Sequence, residues 1–409
     1  MVIRNVKIPG GDSWVLRDVH VEGGLFTGVS DPASRAKERA ERICIPALVD
    51  PHVHVREPGF AHKEDWKTCT KAALRGGYTA IMDMPNNREP VTSLETVERK
   101  STIAAKKSYI DFGIYAALVE DNADELKRKS MQELICGIKV YLSETTGGIL
   151  LSGSSSDRLL MEIFGQPLPV LVHTGGPENT ERVLETYRLV SGRYACLPVL
   201  YICHVSTAGE VDLVRKYKGG GGTIRAEATP HHLLLNRETY EGYSGVLPPL
   251  GTRRDSEALW EGLRDGTVDL IGTDHAPHTV EEKRNDNPPA GFPGLETALV
   301  VLLDEAERRG ISPERLVEAT STEASRIFKI PGRGRIAAGE PADCVVLERG
   351  DYSIGDGGYT TKCGWSPFHG TRVSWKVAFT LRRGDCAYRN GRFRKYPVSR
   401  ICGGERRIP

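Results

Sequence analysis

Eight short apolar runs separated by amphipathic stretches recur along most of the chain, and this repetition restricts the available folds more than any other feature. The runs are Ile43 to Val49, Tyr78 to Met84, Ile110 to Leu118, Gly137 to Ser143, Leu168 to Thr174, Val199 to Ser206, Thr223 to Thr229 and Val268 to Thr273. Several are rich in Val, Ile and Tyr and nearly free of charge, as expected of parallel strands covered on both faces. The stretches between them carry helix-start signals: Thr92-x-x-Glu95 and Thr207-x-x-Glu210 both have capping-box spacing. Strand then helix, eight times over about 250 residues, is the arithmetic of a (β/α)8 TIM-type barrel of the α/β class. An open doubly wound sheet is the alternative. No GxGxxG follows a strand to support it, and Gly219 to Gly222 read as a turn linker rather than a phosphate cradle.

The ends differ in character. Val2 to Ile8, Asp18 to Val21 and Leu25 to Val29 read as short strands around glycine turns, as do Asp343 to Leu347, Trp375 to Leu381 and Cys386 to Arg389. Neither end carries enough apolar residues for a core of its own. They are expected to join as one small composite β-sandwich, residues 1–47 plus 339–409, beside a barrel of residues 48–338.

Composition excludes several classes of function. A chain of 409 residues with 39% hydrophobic and 27% charged residues is an ordinary soluble composition, and a net charge of +1 offers no electrostatic footprint for nucleic acid. No run of eighteen apolar residues suggests a membrane span. The start, Met1-Val2-Ile3-Arg4-Asn5-Val6, lacks the pattern of a signal peptide, so a cytoplasmic location is expected. Nine cysteines without CxxC spacing read as buried thiols rather than a disulfide framework or zinc ribbon. Cys203, beside His204, is the one nearest to candidate chemistry, although most free cysteines behave as small buried hydrophobes.

In a barrel enzyme the active site is built at the C-terminal ends of the strands. Polar residues fall there. His52 and His54 follow the first run, Lys139 lies in the fourth, His173 ends the fifth, His204 lies late in the sixth, and Asp274 ends the eighth. Residues two apart on a strand share a face, so both imidazoles of His52-Val53-His54 can reach one ion. Imidazole and carboxylate donors without thiolate suit Zn, Fe, Mn or similar ions, with zinc the default for hydrolysis. A protonated Lys139 inside a cationic site would be costly. Either it forms a salt bridge at the mouth, or CO2 caps its amine as a carbamate able to bridge two ions. Asp274 then fits as general base and acid, or else as a structural strand-end carboxylate.

Taken together, His52-x-His54-x-Arg56-x-Pro58-Gly59, Met84-Pro85-Asn86, Gly137-Ile-Lys139-Val-Tyr, His173, His204-Val-Ser-Thr207, Asp274-His-Ala-Pro-His278 and Gly291-Phe-Pro-Gly-Leu-Glu-Thr297 resemble the dihydroorotase family of the amidohydrolase superfamily. The resemblance implies a two-zinc site: His52 and His54 on the first ion, His173 and His204 on the second, N6-carboxylated Lys139 as bridge, and Asp274 as ligand and proton shuttle. It also implies reversible cyclisation of N-carbamoyl-L-aspartate to L-dihydroorotate with loss of water, a step of pyrimidine synthesis. Both compounds carry an α-carboxylate, for which Arg56 offers a bidentate fork. Asn86 and His278 would complete that clamp, with His54 beside the substrate and the backbone of Ala290 and Gly291 meeting the ring amide. Position 247 departs from the family, with leucine where its relatives carry asparagine.

Related enzymes that open hydantoins or allantoin lack that ring carboxylate as a target, and they stand second. A non-catalytic scaffold would have lost one or more ligands, yet all six positions are filled. The partner expected is a small molecule, neither nucleic acid nor membrane, and a homo-oligomer is compatible with this reading. The segment Thr279 to Pro289 is polar and could close over substrate as a lid.

Overall fold

The computed structural model describes residues 1–32, 41–152, 156–194, 197–219, 223–243 and 245–402. Beyond its first residue, the glycine turn read at 219–222 lies outside them. The chain opens with β1 (Val2–Gly10), β2 (Ser13–Glu22), β3 (Leu25–Ser30) and β4 (Arg42–Pro46). Eight strands follow: β5 (Leu48–Val53), β6 (Tyr78–Asp83), β7 (Asp111–Ala117), β8 (Gly137–Tyr141), β9 (Val170–His173), β10 (Val199–Ile202), β11 (Thr223–Ala228) and β12 (Leu270–Ile271). These pair in sequential order, every pair parallel.

Parity along each strand separates two cores. Ile138 and Val140 of β8 turn outward into the layer of helices, which leaves Gly137, Lys139 and Tyr141 facing inward. Met82, Tyr115, Leu171, Tyr201 and Cys203 fill the interior, and Phe328 packs against Tyr115 and Tyr201 from below.

The first and last barrel strands meet by an unusual seam, because β12 has only two residues. The His54 amide donates to the His275 carbonyl at 2.8 Å, and Val53 bridges His275 in parallel register. Beside them the Asp50 carboxylate accepts from the Thr273 amide at 3.1 Å and its hydroxyl at 2.5 Å, replacing a rung of the ladder. Burial lifts this carboxyl to about 7 against those hydrogen bonds.

Past the barrel come β13 (Cys344–Ser353), β14 (Arg372–Arg382), β15 (Asp385–Arg389) and β16 (Arg392–Phe393). With the first four strands they make one eight-stranded sheet, ordered β16-β15-β14-β13-β4-β1-β2-β3. Its two faces serve different cores: Cys44, Cys344 and Val346 face a core within the sheet, whereas Ile43, Ile45, Val345 and Leu347 pack on the barrel helices. A last strand, β17 (Arg400–Ile401), returns to pair with β7.

Two local expectations need correction. The run Ile43 to Val49, expected as a single barrel strand, is split at Ala47. β4 pairs antiparallel with β13, and the chain enters the barrel only at Leu48, whose amide donates to Gly77. All seven residues of the run are buried, so hydrophobicity alone carries no mark of which sheet each part joins. The cap expected at Thr92 and Glu95 is shifted by one: Ser93 caps the helix Leu94–Lys107, with Thr96 closing the box. Both hydroxyl residues can cap, and the one whose oxygen reaches the free amide of Thr96 prevails. Thr207 and Glu210 cap Ala208–Lys218 as read. Among the described residues no helix is long and apolar enough to cross a membrane.

Candidate metal centre and substrate pocket

Ten of the eleven residues singled out in the sequence line one pocket at the C-terminal rim of the barrel: His52, His54, Arg56, Asn86, Lys139, His173, His204, Asp274, Ala290 and Gly291. His278 lies outside the lining, with its Nε2 3.0 Å from Arg56 Nη2. Three of the lining residues other than glycine have left-handed backbones: Arg56 at φ 69°, His204 at φ 33° and Asp274 at φ 45°. Such conformations cost of order 1–3 kcal/mol each and persist only where the surroundings over-determine them.

His52, His54 and Asp274 bring ligand atoms within 4.8 Å of one another. Nε2 of His54 lies 2.8 Å, and Nε2 of His52 3.3 Å, from the same Asp274 oxygen. The other nitrogen of each ring is already occupied. His52 Nδ1 donates to Glu227 Oε1 at 2.8 Å, and His54 Nδ1 donates to Asn86 Oδ1 at 2.6 Å. Both tautomers are thereby set with Nε2 toward the cluster. Opposite, His173 Nδ1 and His204 Nε2 face each other at 2.8 Å. Burial, with the Lys139 ammonium adding to it, brings His173 down to about 3. Burial and the neighbouring His173 depress His204 as well. Both rings are thus neutral and offer lone pairs. Burial raises the Asp274 carboxyl, but His52 and His54 outweigh it and hold it well below the usual range.

Lys139 is fully buried at the floor. Its Nζ donates to Cys203 Sγ at 2.9 Å and lies 5.1 Å over the Tyr141 ring. Among the described residues no carboxylate pairs with it, so the salt-bridge alternative has no partner here, and an ammonium so placed is expensive. Four imidazoles, one carboxylate and a lysine without a carboxylate partner make a donor set that fits divalent cations better than it fits itself.

Arg56 is buried, and burial lowers its guanidinium to about 10. Its Nε donates to the Pro277 carbonyl at 3.3 Å, while Nη1 has no hydrogen-bond partner. No carboxylate pairs with it among the described residues; Glu57 instead engages Lys107, and Glu64 accepts from Thr361. Asn86 donates from Nδ2 to the Thr146 carbonyl at 2.9 Å, so both ends of its amide are in use. His278 accepts from Lys63 Nζ at 3.0 Å on Nδ1, which leaves the proton on Nε2 for the Ala290 carbonyl at 2.9 Å. Burial, then Arg56 and Lys63, keep that ring neutral.

Sequence reasoning passed over Glu227. It sits fully buried at the inward parity of β11 and accepts from His52, from the His204 amide at 2.9 Å and from Tyr201 Oη at 2.5 Å. Gly272 is required beside it, since a Cβ there would lie 2.5 Å from Glu227 Oε2. A lone glutamate between Ala226 and Ala228 in a barrel strand was the available signal. Substituting Glu227→Gln removes the charge that orients His52, and affinity for a divalent cation is expected to fall about 10–100-fold. Competition with a chromogenic chelator measures this; parental affinity would remove Glu227 from the metal centre.

A barrel with this rim cluster defines an amidohydrolase. The model of that family, described as Amidohydrolase family, matches residues 43–384, and the chain belongs to it. Within it the chain belongs with the dihydroorotases. It is 32% identical to the dihydroorotase of Methanosphaera stadtmanae, over 93% of this chain and 95% of that one. Multifunctional protein CAD of Squalus acanthias is 35% identical over 85% of this chain, which spans only 15% of CAD. The chain likewise spans 15% of multifunctional protein pyr1-3 of Dictyostelium discoideum. Among solved structures, the L-hydantoinase of Arthrobacter aurescens superposes with a TM-score of 0.84 at 22% identity, covering 98% of this chain and 99% of that one, which speaks to the shared fold.

Proposed function

We propose that this protein is a dihydroorotase, interconverting N-carbamoyl-L-aspartate and L-dihydroorotate in pyrimidine synthesis, with a composite domain of residues 1–47 and 339–409 beside the catalytic barrel. The observation carrying the substrate is Arg56: a buried guanidinium on the pocket wall, unpaired by any described carboxylate and with Nη1 unsatisfied. Such a group seeks an anion, and the α-carboxylate of either compound supplies one in the planar geometry it matches. Hydantoin and allantoin have none to offer.

His52, His54 and Asp274 would hold one zinc ion and His173 and His204 a second, with carboxylated Lys139 between them. When bound, such ions would polarise the ring carbonyl and acidify water. In the hydrolytic direction water adds to the ring amide carbon and the C–N bond breaks. Asp274 takes a proton from the attacking water and passes it to the departing nitrogen; cyclisation runs the same transfers in reverse. Asn86 keeps His54 in one tautomer, His278 stands behind Arg56, and the backbone of Ala290 and Gly291 borders the pocket where the ring amide would lie. The expected setting is cytoplasmic, with a small-molecule substrate and no nucleic acid or membrane partner.

The test is an assay with N-carbamoyl-L-aspartate, L-dihydroorotate, hydantoin and allantoin, using the parent and Arg56→Ala. Turnover is expected only with the first two. Losing a charged, bidentate contact should raise KM about 10²-fold or more, with a smaller change in kcat. Preference for allantoin or hydantoin would overturn the substrate assignment, and metal-free, inactive protein after growth in zinc would favour a scaffold.

A further inference from the structure

Lys283 ends the short helix Val280–Lys283 in the segment expected as a lid, and it is buried although the mechanism above makes no use of it. Its ammonium donates to three backbone carbonyls: Gly245 at 2.9 Å, Pro289 at 2.9 Å and Gly291 at 3.3 Å. Three N–H donors thus meet three acceptors. Phe292 and Trp365 stand over the nitrogen at 5.3 and 5.8 Å, in cation–π range. Among the described residues no carboxylate pairs with it, and burial alone lowers it to about 8.

The arrangement bears on the pocket because of which carbonyls are taken. Those of Pro289 and Gly291 turn toward Lys283, while the carbonyl between them, on Ala290, turns toward His278 Nε2 at 2.9 Å. Gly245 is held twice, by Lys283 and by the Gly291 amide at 2.9 Å, which ties in the stretch leading to Leu247 on the pocket wall. Gly291 has φ 141°, and a Cβ there would lie 2.4 Å from the Ala276 carbonyl, so the strip is pressed against the strand-eight loop. We infer that Lys283 is a positioning residue: a cationic clamp that fixes the orientation of the Ala290 and Gly291 peptides and so sets the backbone wall that meets the substrate ring. This rests on the substrate contacts proposed for those two residues.

The test uses Lys283→Met, which keeps the stem and deletes the donors, and Lys283→Ala, which opens a slot for an added amine. Lys283→Met should raise KM for L-dihydroorotate about tenfold, as lost hydrogen bonds to a binding surface do, with kcat within about threefold. Amide hydrogen exchange, read without substrate, should accelerate in residues 288–294. Adding propylammonium, which replaces the missing three carbons and nitrogen, should restore KM of Lys283→Ala, while tetramethylammonium should not. Parental KM with unchanged exchange would overturn the inference. So would an equal loss in kcat and kcat/KM without amine rescue, the mark of a merely structural lysine. Should the parent turn over neither compound while exchange still depends on Lys283, the dihydroorotase reading falls and the clamp stands.

Discussion

Asp274→Asn is expected to lower turnover about 10²–10⁴-fold in both directions, the range associated with loss of a positioned proton carrier. The amide keeps the shape of the carboxylate but cannot take a proton from water or release one to nitrogen. The site around it depends on the charge as well: both His52 and His54 present Nε2 to one Asp274 oxygen, at 3.3 and 2.8 Å. Metal content measured beside kcat separates the two roles. Full metal with lost turnover assigns the proton transfer to Asp274, and lost metal assigns it to ligation. A variant that retains more than about a tenth of parental turnover would exclude Asp274 as the general acid and base.

The largest effect on stability is expected from Asp111→Ala, at the opposite end of the barrel. Asp111 opens β7 fully buried and accepts from Arg382, from Arg333 Nη2 at 2.6 Å and from the Ser399 amide at 2.7 Å; Arg333 continues to Asp343 at 2.9 Å. One carboxylate therefore joins the barrel, the composite sheet and the returning tail. Burial opposes its charge, but the two guanidinium groups hold its pKa below the usual value. Alanine strands buried Arg382 and leaves Arg333 with Asp343 alone, a loss of about 3–5 kcal/mol. The thermal midpoint should fall by roughly 5 °C or more, and a shift under about 2 °C would show that the arginines find other partners. Because the folded pKa is depressed, the contribution is complete above about pH 4 and fades as pH falls below that. Turnover at 25 °C should stay near the parental value, since Asp111 starts its strand and the pocket lies past the strand ends.

How far the sequence could be read follows from what each residue type signals on its own. Strand period and helix period differ, so the order of the eight barrel strands was legible throughout. Histidines at strand ends are conspicuous, and the structure gathers His52, His54, His173 and His204 with Asp274 and Lys139 around one pocket. The residues that hold these side chains in place were not legible. Glu227 shares its strand and its face with Arg225 and resembles an ordinary surface pair, until its place near the strand end brings it to His52, whereas Arg225, nearer the start, reaches Asp269 and Glu323. Lys63 and Lys283 sit in charged loop sequences that read as solvated, and only tertiary packing shows that their nitrogens meet a ring nitrogen or carbonyls. The seam was hidden for a similar reason, because Asp50 does with a side chain what pattern rules assign to backbone. Asn86 was read as a substrate contact, yet its amide is divided between His54 and Thr146.

The place of β4 between β1 and β13 also dictates an order of assembly during translation. While the ribosome is still building the barrel, Ile43, Cys44 and Ile45 wait with one edge bare, because their partners at 345–347 emerge some three hundred residues later. Within that interval the nascent amino-terminal hairpins are sticky and incomplete, and a chaperone or a neighbouring nascent chain could claim the edge first. Chains truncated before residue 344 inherit this condition permanently, so aggregation, rather than a soluble isolated barrel, is the outcome the topology prescribes.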